Sequence, residues 1–595
     1  MEKIHFAIAP VQEFISMARR TSDFWAGSYL ISYLSGHAMV EIQDKGGEIV
    51  IPYIEDDKLI EYIERGGKSP LVGSLPNRFT AKVDGKRPDE IAKSAENAVK
   101  KAWNDLADKV WNNYLSAVEK KGNKTKEIWD RQTEGYWQVT WAIGDEDNLL
   151  DQRKNWRTYD LPPSEPGDKC TVMGQWQELS GHIRSHDKET QDEFWELAGE
   201  QLPSHILKEK ERLCAIALVK RMLPRTIDDF EEDVKHWPST VYMAAIPWLK
   251  HVCTDNIEEG EEYAQKVLKI SEGYSRKGVN KHITSLSKYD NDLVQLDANV
   301  LYKDTLKKDE FKQHEKMLTS ELKKLQKNNV PSPFYAMLVM DGDKMGTMLQ
   351  ESEERKRGDI SKVLTNFASS AVRMIDDHDG ITIYSGGDDV MAILPITEAL
   401  KCAQKISSEF TKCFETKGIH DASISACLMY AHYSLPLQPI IEESHKLLDE
   451  VAKKENGRNS IVVSAMKSSG RNFQWCTTWD HLYELYEGIL KSPYLYDISN
   501  SYLYSMMTLL NRFSEKGSWN PGDKLVLSEE FSKDVLKRLL VAEMDGKNAD
   551  DSGKKENVEN LLNICYTKRN NSDDEHILLD GIKMFKFLSQ YEVSK

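Results

Sequence analysis

The stretch TIYSGGDDVMAILP, residues 382–395, predicts a β-hairpin whose turn carries two adjacent carboxylates. A β-branched run precedes the turn and an apolar run follows it, while Gly386 and Gly387 supply the positive φ angles that a tight hairpin turn favours. Asp388 and Asp389 therefore stand between two strands that are apolar enough to be buried. Taken alone, the turn is also compatible with an Asx-rich surface turn, so its interpretation depends on a partner.

That partner is the DGD triplet that begins at Asp341, directly after the apolar run 334–340. The residues between Asp341 and Asp388 suffice for one strand–helix passage, so neighbouring strands can bring these carboxylates together. Crowded carboxylates repel one another unless a cation lies between them, and hard oxygen ligands select Mg²⁺ or Mn²⁺. We therefore expect Asp341, Asp388 and Asp389 to hold metal, assisted by the carbonyl of Gly342.

A third element follows the strand DASISACLMYAHY. It is the helical stretch ESHKLLDEVAKKENGRN, in which Lys453 is placed to reach triphosphate oxygens. The alternative for a single lysine is a solvated surface side chain. The residues that we expect to contact nucleotide in this half are Ser385, Gly386, Gly387, Asp343 and Lys453.

The chain contains two similar strand–helix starts. IHFAIAPVQEFI opens the sequence, and FYAMLVMDGDKM has the same shape, with Asp341 and Asp343 falling near Ala9 and Val11. Two such starts can also occur by chance. We interpret them as an internal duplication in which one half alone carries acids.

Length and charge bound the possibilities. The chain has 595 residues, room for about four domains at roughly 150 residues each, and a formal net charge of -17. This charge argues against binding nucleic acid over the whole surface and favours sharing it with basic partners. The eight scattered cysteines fit a reducing compartment, and the absence of a bilayer-length apolar run or signal peptide predicts a cytoplasmic protein without membrane contact.

The order strand, DGD, helices, strand, GGDD, strand, SISAC, helix, AKKENGRN resembles the palm domain of GGDEF-type nucleotide cyclases. Two departures make guanine specificity doubtful. Asp389 stands where that family carries Glu, and no Asn-Asp pair follows DGDKMG.

Further stretches resemble the large subunit of type III-B (Cmr) CRISPR effector complexes. They are APVQEFISMARRTSDFWAGSYLISYL, SLPNRF, LCAIALVKR, PSTVYMAAIPWL, LVMDGDKMG and YSGGDDVMAILP. The resemblance implies an α/β (α+β) fold with two ferredoxin-like palm domains that face each other across nucleotides. On this basis we expect a first palm at 1–165, a mostly helical domain at 166–325, a GGDD palm at 326–470 and a helical domain at 471–595.

The same resemblance implies the activity and the partners. It predicts a Mg²⁺-dependent nucleotidyltransferase that makes an adenylate second messenger from ATP when guide RNA and sibling Cmr subunits capture target RNA. The product is a cyclic oligoadenylate or an adenylated conjugate, with a second ATP or S-adenosylmethionine as acceptor. The first palm would hold the acceptor, and its candidate residues, which can equally be packing and capping residues, are Arg19, Arg20, Trp25, Gly27 and Ser28.

The sequence departs from this family in two places. Many members begin with an HD nuclease domain, whereas here the first palm starts at once and the His-Asp pairs lack accompanying histidines, so we expect no DNase activity. Members also carry a zinc site from two C-x2-C pairs. Here these read Cys170-x2-Met173 and Cys214-x2-Ala217, which cannot close a tetrahedral zinc site.

Two alternatives stay open. One is a scaffold whose palm binds nucleotide without chemistry and anchors guide RNA and sibling subunits. The other is a free-standing diguanylate-type cyclase.

Overall fold

The computed structural model describes residues 2–84, 87–146, 149–150, 165–203, 206–307, 311–327 and 329–485, and beyond these 504, 506–508, 520–526, 533–544, 551–568, 570 and 575–591. The chain forms two compact units. The first comprises 1–237 together with 346–369 and 383–387, and the second comprises 238–345, 370–382 and 388–595.

The first unit contains a four-stranded antiparallel sheet. Its strands are β1 (Glu2–Ala9), β2 (Gly47–Ile51), β3 (Arg78–Val83) and β4 (Gln138–Ile143), in the order β2-β3-β1-β4. Phe6 of β1 lies opposite Phe79 of β3, and their rings stack with centroids 4.9 Å apart. Such a cross-strand aromatic pair helps to hold the register of the sheet.

Several helices lie in the described part of the chain before Trp237. They are α1 (Gln12–Ser16), α2 (Thr21–Asp44), α3 (Lys58–Arg65), α4 (Pro88–Val110, continued by a π-helical turn Trp111–Leu115), α5 (Thr125–Glu134), α6 (Lys188–Gln201) and α7 (Ala215–Thr226). The start of α3 shows how the local sequence sets a helix end, because the Asp57 carboxylate accepts hydrogen bonds from the backbone N–H groups of Leu59 and Ile60. Helices α2 and α4 pack against each other and contact the sheet.

The helices that follow along the chain are α8 (Thr240–Asp255), α9 (Ile257–Ile270), α10 (Glu315–Leu325), α11 (Met345–Glu351), α12 (Glu354–Asp377), α13 (Ala399–Glu415), α14 (Leu437–Leu447, continued by the π-helical segment Leu448–Glu455), α15 (Trp479–Leu485), α16 (Lys533–Met544), α17 (Asp551–Cys565) and α18 (Asp580–Tyr591). None of the helices in the described part of the chain combines the length and the apolar character that crossing a membrane requires.

The larger sheet has six strands in the order β10-β9-β8-β5-β7-β6. They are β5 (Phe334–Gly342), β6 (Ile381–Gly386), β7 (Asp389–Pro395), β8 (Ile424–His432), β9 (Ser460–Lys467) and β10 (Gly470–Thr478). Strand β5 is antiparallel to β7 and β8, whereas β8 and β9 run parallel. Helix α8 contacts β5 and β7, and α14 contacts β5 and β8. This coverage explains why β5 and β8 are almost continuously apolar.

The same chain topology occurs twice. In each copy the chain runs strand, helical passage, strand, strand, helical passage, strand. The resulting order of strands in the sheet is β4-β1-β3-β2 in the first sheet and β8-β5-β7-β6 in the second. This is the ferredoxin-like order, and the expected mixed α/β fold class is confirmed. The copies differ at the hairpin. A two-residue turn joins β6 to β7, but residues 52–77 separate β2 from β3.

The structure contains strands in the region from residue 470 onward, where the sequence predicts a helical domain. The second sheet continues past 470 through β10, because β10 pairs with β9. The C-terminal part is also not purely helical, since β11 (Lys524–Val526), β12 (Tyr566–Lys568) and β13 (Glu575–Leu578) form a small antiparallel sheet. Short strands without clear alternation are hard to recognise in a polar, charged stretch.

Candidate functional site

Strand pairing brings the DGD triplet to the GGDD turn. Met340 of β5 lies opposite Val390 of β7, so the next residues outward on the two strands are Asp341 and Asp389. Gly387, the first residue of the turn, has φ 64, which a two-residue hairpin turn requires and glycine adopts without strain. The predicted convergence of the acids is therefore present.

Gly342 allows the closest approach in this site. Its backbone N–H donates to the Asp388 carbonyl at 3.2 Å. A Cβ placed on Gly342 would lie 2.6 Å from the Asp388 Cβ and 3.0 Å from its Oδ2. A larger residue at 342 would therefore push Asp388 away from β5.

The neighbouring carboxylates raise the pKa values of Asp388 and Asp389. Desolvation by the surrounding protein and the nearby charge of Asp341 raise the pKa of Asp388 to about 7. Desolvation, Asp388 and Asp341 likewise raise the pKa of Asp389 above its usual range, although part of the Asp389 surface reaches solvent. Like charges held this close favour either a proton or a cation between them.

The cation next to Asp341 in this structure is Lys453. Its Nζ lies 2.5 Å from Asp341 Oδ1 and 3.8 Å from Asp449 Oδ1. Lys453 sits on the π-helical segment after α14, and 15% of its side chain is exposed. The sequence prediction that Lys453 points back to the acidic edge therefore agrees with its position, and the solvated-surface alternative does not.

The donor types at this edge fit a hard divalent cation, because they are carboxylate oxygens with a neighbouring carbonyl. In the described part of the chain, however, no group of three or more His, Cys, Asp or Glu side chains surrounds a common metal position. The charge next to Asp341 is instead the ammonium of Lys453.

Two residues predicted to contact nucleotide have other partners. Ser385 is buried, and its hydroxyl donates to the Ala368 carbonyl at 2.9 Å. Asp343 is also buried, and its carboxylate accepts hydrogen bonds from Ser423, Ser425 and the backbone N–H of Asn459. The structure thus separates Asp343 from Asp341, although the two are only two positions apart in the sequence.

Three of the candidate nucleotide-binding residues in the first unit, Trp25, Gly27 and Ser28, make packing contacts in the protein interior. Trp25 is fully buried, donates its indole N–H to the Leu71 carbonyl at 2.5 Å and stacks on Trp237 with centroids 4.7 Å apart. A Cβ on Gly27 would lie 2.7 Å from the Lys220 side chain, so this glycine makes room for a buried lysine. Ser28 is buried as well. In this structure the three positions therefore serve packing, and a nucleotide-binding role for them stays a prediction.

Arg19 and Arg20 belong to a charged cluster around Glu211. Arg19 Nη1 lies 3.6 Å and Arg20 Nη2 lies 3.3 Å from its carboxylate. Arg221, which is buried, pairs with Glu211 at 2.8 Å and with Asp23 at 2.8 Å. The side chain of Arg19 remains 53% exposed and that of Arg20 23%, so both reach solvent while they pair with Glu211.

Ser423, Ser425 and Asn459 were not predicted as site residues from the sequence. A signal was present, because two hydroxyls at alternate positions in the otherwise apolar SISAC strand are unusual unless they serve a buried polar partner. Their partner, Asp343, could not be identified without the register of β5 and β8, which places Asp341 opposite Ser425.

The two remaining cysteines of the degenerate zinc region lie together. The Cys170 sulfur accepts backbone N–H groups of Val172 and Met173 at 3.4 and 3.3 Å, and Cys214 accepts that of Ala217 at 3.4 Å. Burial raises the pKa of Cys170, but hydrogen bonds, the first of them from the Cys214 thiol, bring it down to about 7. Two thiols, a thioether and an alanine do not form the four-ligand set of structural zinc.

Comparison with known proteins agrees with this topology. Residues 334–462 match the family model of the second palm domain of Cas10/Cmr2, and residues 3–108 match that of the N-terminal part of the CRISPR-associated protein Cmr2. The CRISPR system Cmr subunit Cmr2 of Pyrococcus furiosus is 25% identical over 86% of this chain and 67% of its own length.

Two solved structures share the fold. One is a type III-B Cmr-beta structure in the apo state, with 14% identity, a TM-score of 0.60, and coverage of 99% of this chain and 81% of the matched chain. The other is type III-B Cmr-beta bound to cognate target RNA, with 14% identity, a TM-score of 0.63, and coverage of 100% and 83%.

Proposed function

We propose that this chain, which belongs to the Cmr2 family of large subunits of type III-B CRISPR complexes, transfers AMP from ATP to a 3′-hydroxyl and so makes an adenylate second messenger. The family membership confirms the resemblance found in the sequence. The observation that carries the proposed activity is the convergence of Asp341, Asp388 and Asp389 at the end of β5 and the β6–β7 turn.

The proposed reaction is an in-line displacement. The 3′-oxygen of the acceptor bonds to the α-phosphorus of ATP and its proton passes to water, while the bond between the α-phosphorus and the bridging oxygen breaks and pyrophosphate leaves with the electron pair. Asp341, Asp388 and Asp389, with the Gly342 carbonyl, would hold Mg²⁺ or Mn²⁺, which would supply positive charge to the reacting phosphate.

Lys453 has a role in binding the triphosphate. Its ammonium is held next to Asp341 by an ion pair of 2.5 Å. The π-helical segment that carries Lys453 ends shortly before the turn that leads into β9. When cations neutralise Asp341, the ammonium is free to pair with phosphate oxygens, which offer several acceptors to a point charge. Gly387 has nothing within 4 Å of the position of a Cβ, so a nucleotide can approach the backbone there. Gly386 does not share this role, because it ends β6 without a positive φ and its backbone packs against Tyr384 and Ser74.

The partners in this proposal are sibling Cmr subunits, guide RNA and target RNA, since the Pyrococcus furiosus relative is a Cmr subunit and a structural relative is bound to cognate target RNA. A net charge of -17 fits a subunit that reaches RNA mainly through such an assembly. The product is a cyclic oligoadenylate or an adenylated conjugate of an adenosyl compound such as S-adenosylmethionine.

The test uses the assembled complex with guide RNA, target RNA, Mg²⁺ and α-labelled ATP. Asp388→Ala combined with Asp389→Ala removes two of the proposed metal ligands and with them several kcal/mol of transition-state stabilisation. Product formation should fall at least about 10³-fold, since each factor of ten in rate corresponds to about 1.36 kcal/mol of barrier. Assembly and target-RNA binding should persist, since the turn glycines remain. Mass spectrometry of the wild-type product identifies the acceptor.

Asp376→Ala combined with Asp377→Ala is the matched control, because it removes two adjacent exposed carboxylates at the end of α12. This control should retain activity. Turnover of the Asp388/Asp389 variant at the control's rate would favour the scaffold alternative, and product from GTP made by the isolated chain would favour a diguanylate-type cyclase.

A further inference from the structure

Asp343 is the buried acid of the DGD triplet, and every described contact of its carboxylate is internal. Only 5% of the residue is exposed. Oδ1 accepts the Ser425 hydroxyl at 2.8 Å, and Oδ2 accepts Ser423 at 2.7 Å, Ser425 at 3.0 Å and the Asn459 backbone N–H at 3.0 Å. These donors satisfy both oxygens of the carboxylate.

The Asn459 contact joins two parts of the fold that are 116 positions apart in sequence. Asn459 ends a turn in which Gly457, Arg458 and Asn459 have φ 82, 72 and 48. A left-handed conformation of Arg458 costs free energy and persists only where surrounding contacts determine it. The hydrogen bond that the Asn459 N–H donates to Asp343 is one such contact, and its acceptor directly follows the end of β5, where Asp341 lies.

The same turn directly follows the π-helical segment that carries Lys453. The Arg458 N–H donates to the Ala452 carbonyl at 3.1 Å, so the position of the turn and that of the segment are coupled. Asp343 is in turn fixed to β8, because its own N–H donates to the Ser423 carbonyl at 2.8 Å. A continuous set of hydrogen bonds therefore runs from β8 through Asp343 to the segment of Lys453.

We infer that Asp343 is a positioning residue that fastens the Gly457–Asn459 turn, and with it Lys453, at the Asp341 end of β5, and that Asp343 is not a ligand of metal or nucleotide. The inference rests on the proposed function for the role of Lys453 in binding the triphosphate. The hydrogen bonds of Asp343 themselves do not depend on catalysis. The inference replaces the nucleotide-binding role expected for Asp343 from the sequence.

The discriminating variants are Asp343→Asn and Asp343→Ala. The Asn carbonyl oxygen can keep the Asn459 and Ser423 donors while its amide donates to the rotatable Ser425 hydroxyl, so Asn preserves the connection. Ala removes it. A metal ligand would behave differently, because a neutral amide replaces a carboxylate poorly at a hard cation.

The first measurement is amide hydrogen exchange of peptides covering 456–460 in the full chain, which needs no activity. Exchange there should be at least about 10-fold faster in Asp343→Ala than in wild type, close to wild type in Asp343→Asn, and unchanged in Asp341→Asn. Unchanged exchange in Asp343→Ala would overturn the inference. If Asp343→Ala does not fold, Ser423→Ala, which removes one donor from a partly exposed site, should give a smaller increase in the same peptides, and no increase would overturn it.

The second measurement compares turnover in the assembled complex. Asp343→Asn should stay within a few-fold of wild type, whereas Asp343→Ala should raise KM for ATP and lower kcat, together by about 10²-fold, because a displacement of about 1 Å costs that much. Loss in Asp343→Asn equal to that in Asp341→Asn would make Asp343 a ligand and refute the positioning role. A wild-type complex that forms no product, with the exchange pattern as expected, would refute the proposed function alone.

Discussion

Replacing Gly342 by alanine tests whether the approach of β5 to the GGDD turn controls the site. The new Cβ would stand 2.6 Å from the Asp388 Cβ, 2.7 Å from the Met345 Cγ and 3.0 Å from Asp388 Oδ2. Gly342 does not have a left-handed φ, so the effect is steric and not a matter of backbone conformation.

The geometry sets the size of the effect. Carbon atoms in contact prefer about 3.5–4.0 Å, so Asp388 must retreat by about 1 Å. Overpacking of this kind costs about 1–3 kcal/mol of the free energy of unfolding. A 1 Å displacement of a catalytic group costs about 10²-fold in rate, so product formation should fall much more than stability.

The matched control is Gly346→Ala, four residues further along, where a Cβ would meet nothing within 4 Å. This glycine lies in α11, so alanine there should stabilise the chain slightly, by about 0.5–1 kcal/mol. The assays are urea denaturation of the chain and ATP turnover of the assembled complex. Gly342→Ala turning over ATP as fast as Gly346→Ala would refute the reasoning that this close contact positions Asp388.

Three further predictions concern the first unit. Arg221→Met leaves the buried carboxylates of Asp23 and Glu211 without their shared partner and should lower the free energy of unfolding by about 3–5 kcal/mol, against about 0–1 kcal/mol for Arg87→Met in an exposed ion pair; equal losses in urea denaturation would contradict this. Desolvation lowers the pKa of His37 from 6.5 to about 4, so the unfolded chain binds more protons between these pH values and the free energy of unfolding falls as the pH is lowered. From pH 7 to 5 the wild-type chain should lose up to about 2 kcal/mol more of this free energy than His37→Gln, and parallel curves of stability against pH would contradict the prediction. Purified protein should contain no stoichiometric zinc by plasma mass spectrometry, and one zinc per chain that disappears in a Cys170→Ser variant would disprove this.

The local features of the site could be predicted from the sequence. The apolar runs around 382–395, the two glycines and the alternation of strand and helix are short-range signals, and each depends on residues within one or two turns of the chain. They were enough for the hairpin, the mixed α/β class and the convergence of Asp341 with Asp388 and Asp389. The acids could be assigned because apolar strands on both sides leave them few other places to lie.

The sequence could not distinguish the roles of the two acids in the DGD triplet, and it made candidates of residues that the fold buries. Ser425 contacts Asp343 only because β5 and β8 pair with Asp341 opposite Ser425, and Asn459 reaches the same carboxylate from 116 positions away. Gly27 makes room for Lys220, which is equally remote in sequence. Strand register and the packing of distant helices are properties of the whole chain, because they minimise the free energy of many contacts together. The sequence by itself therefore determined which side chains could carry chemistry, and the tertiary structure alone decided that Asp341 faces the turn acids and Lys453 while Asp343 is enclosed by hydrogen-bond donors.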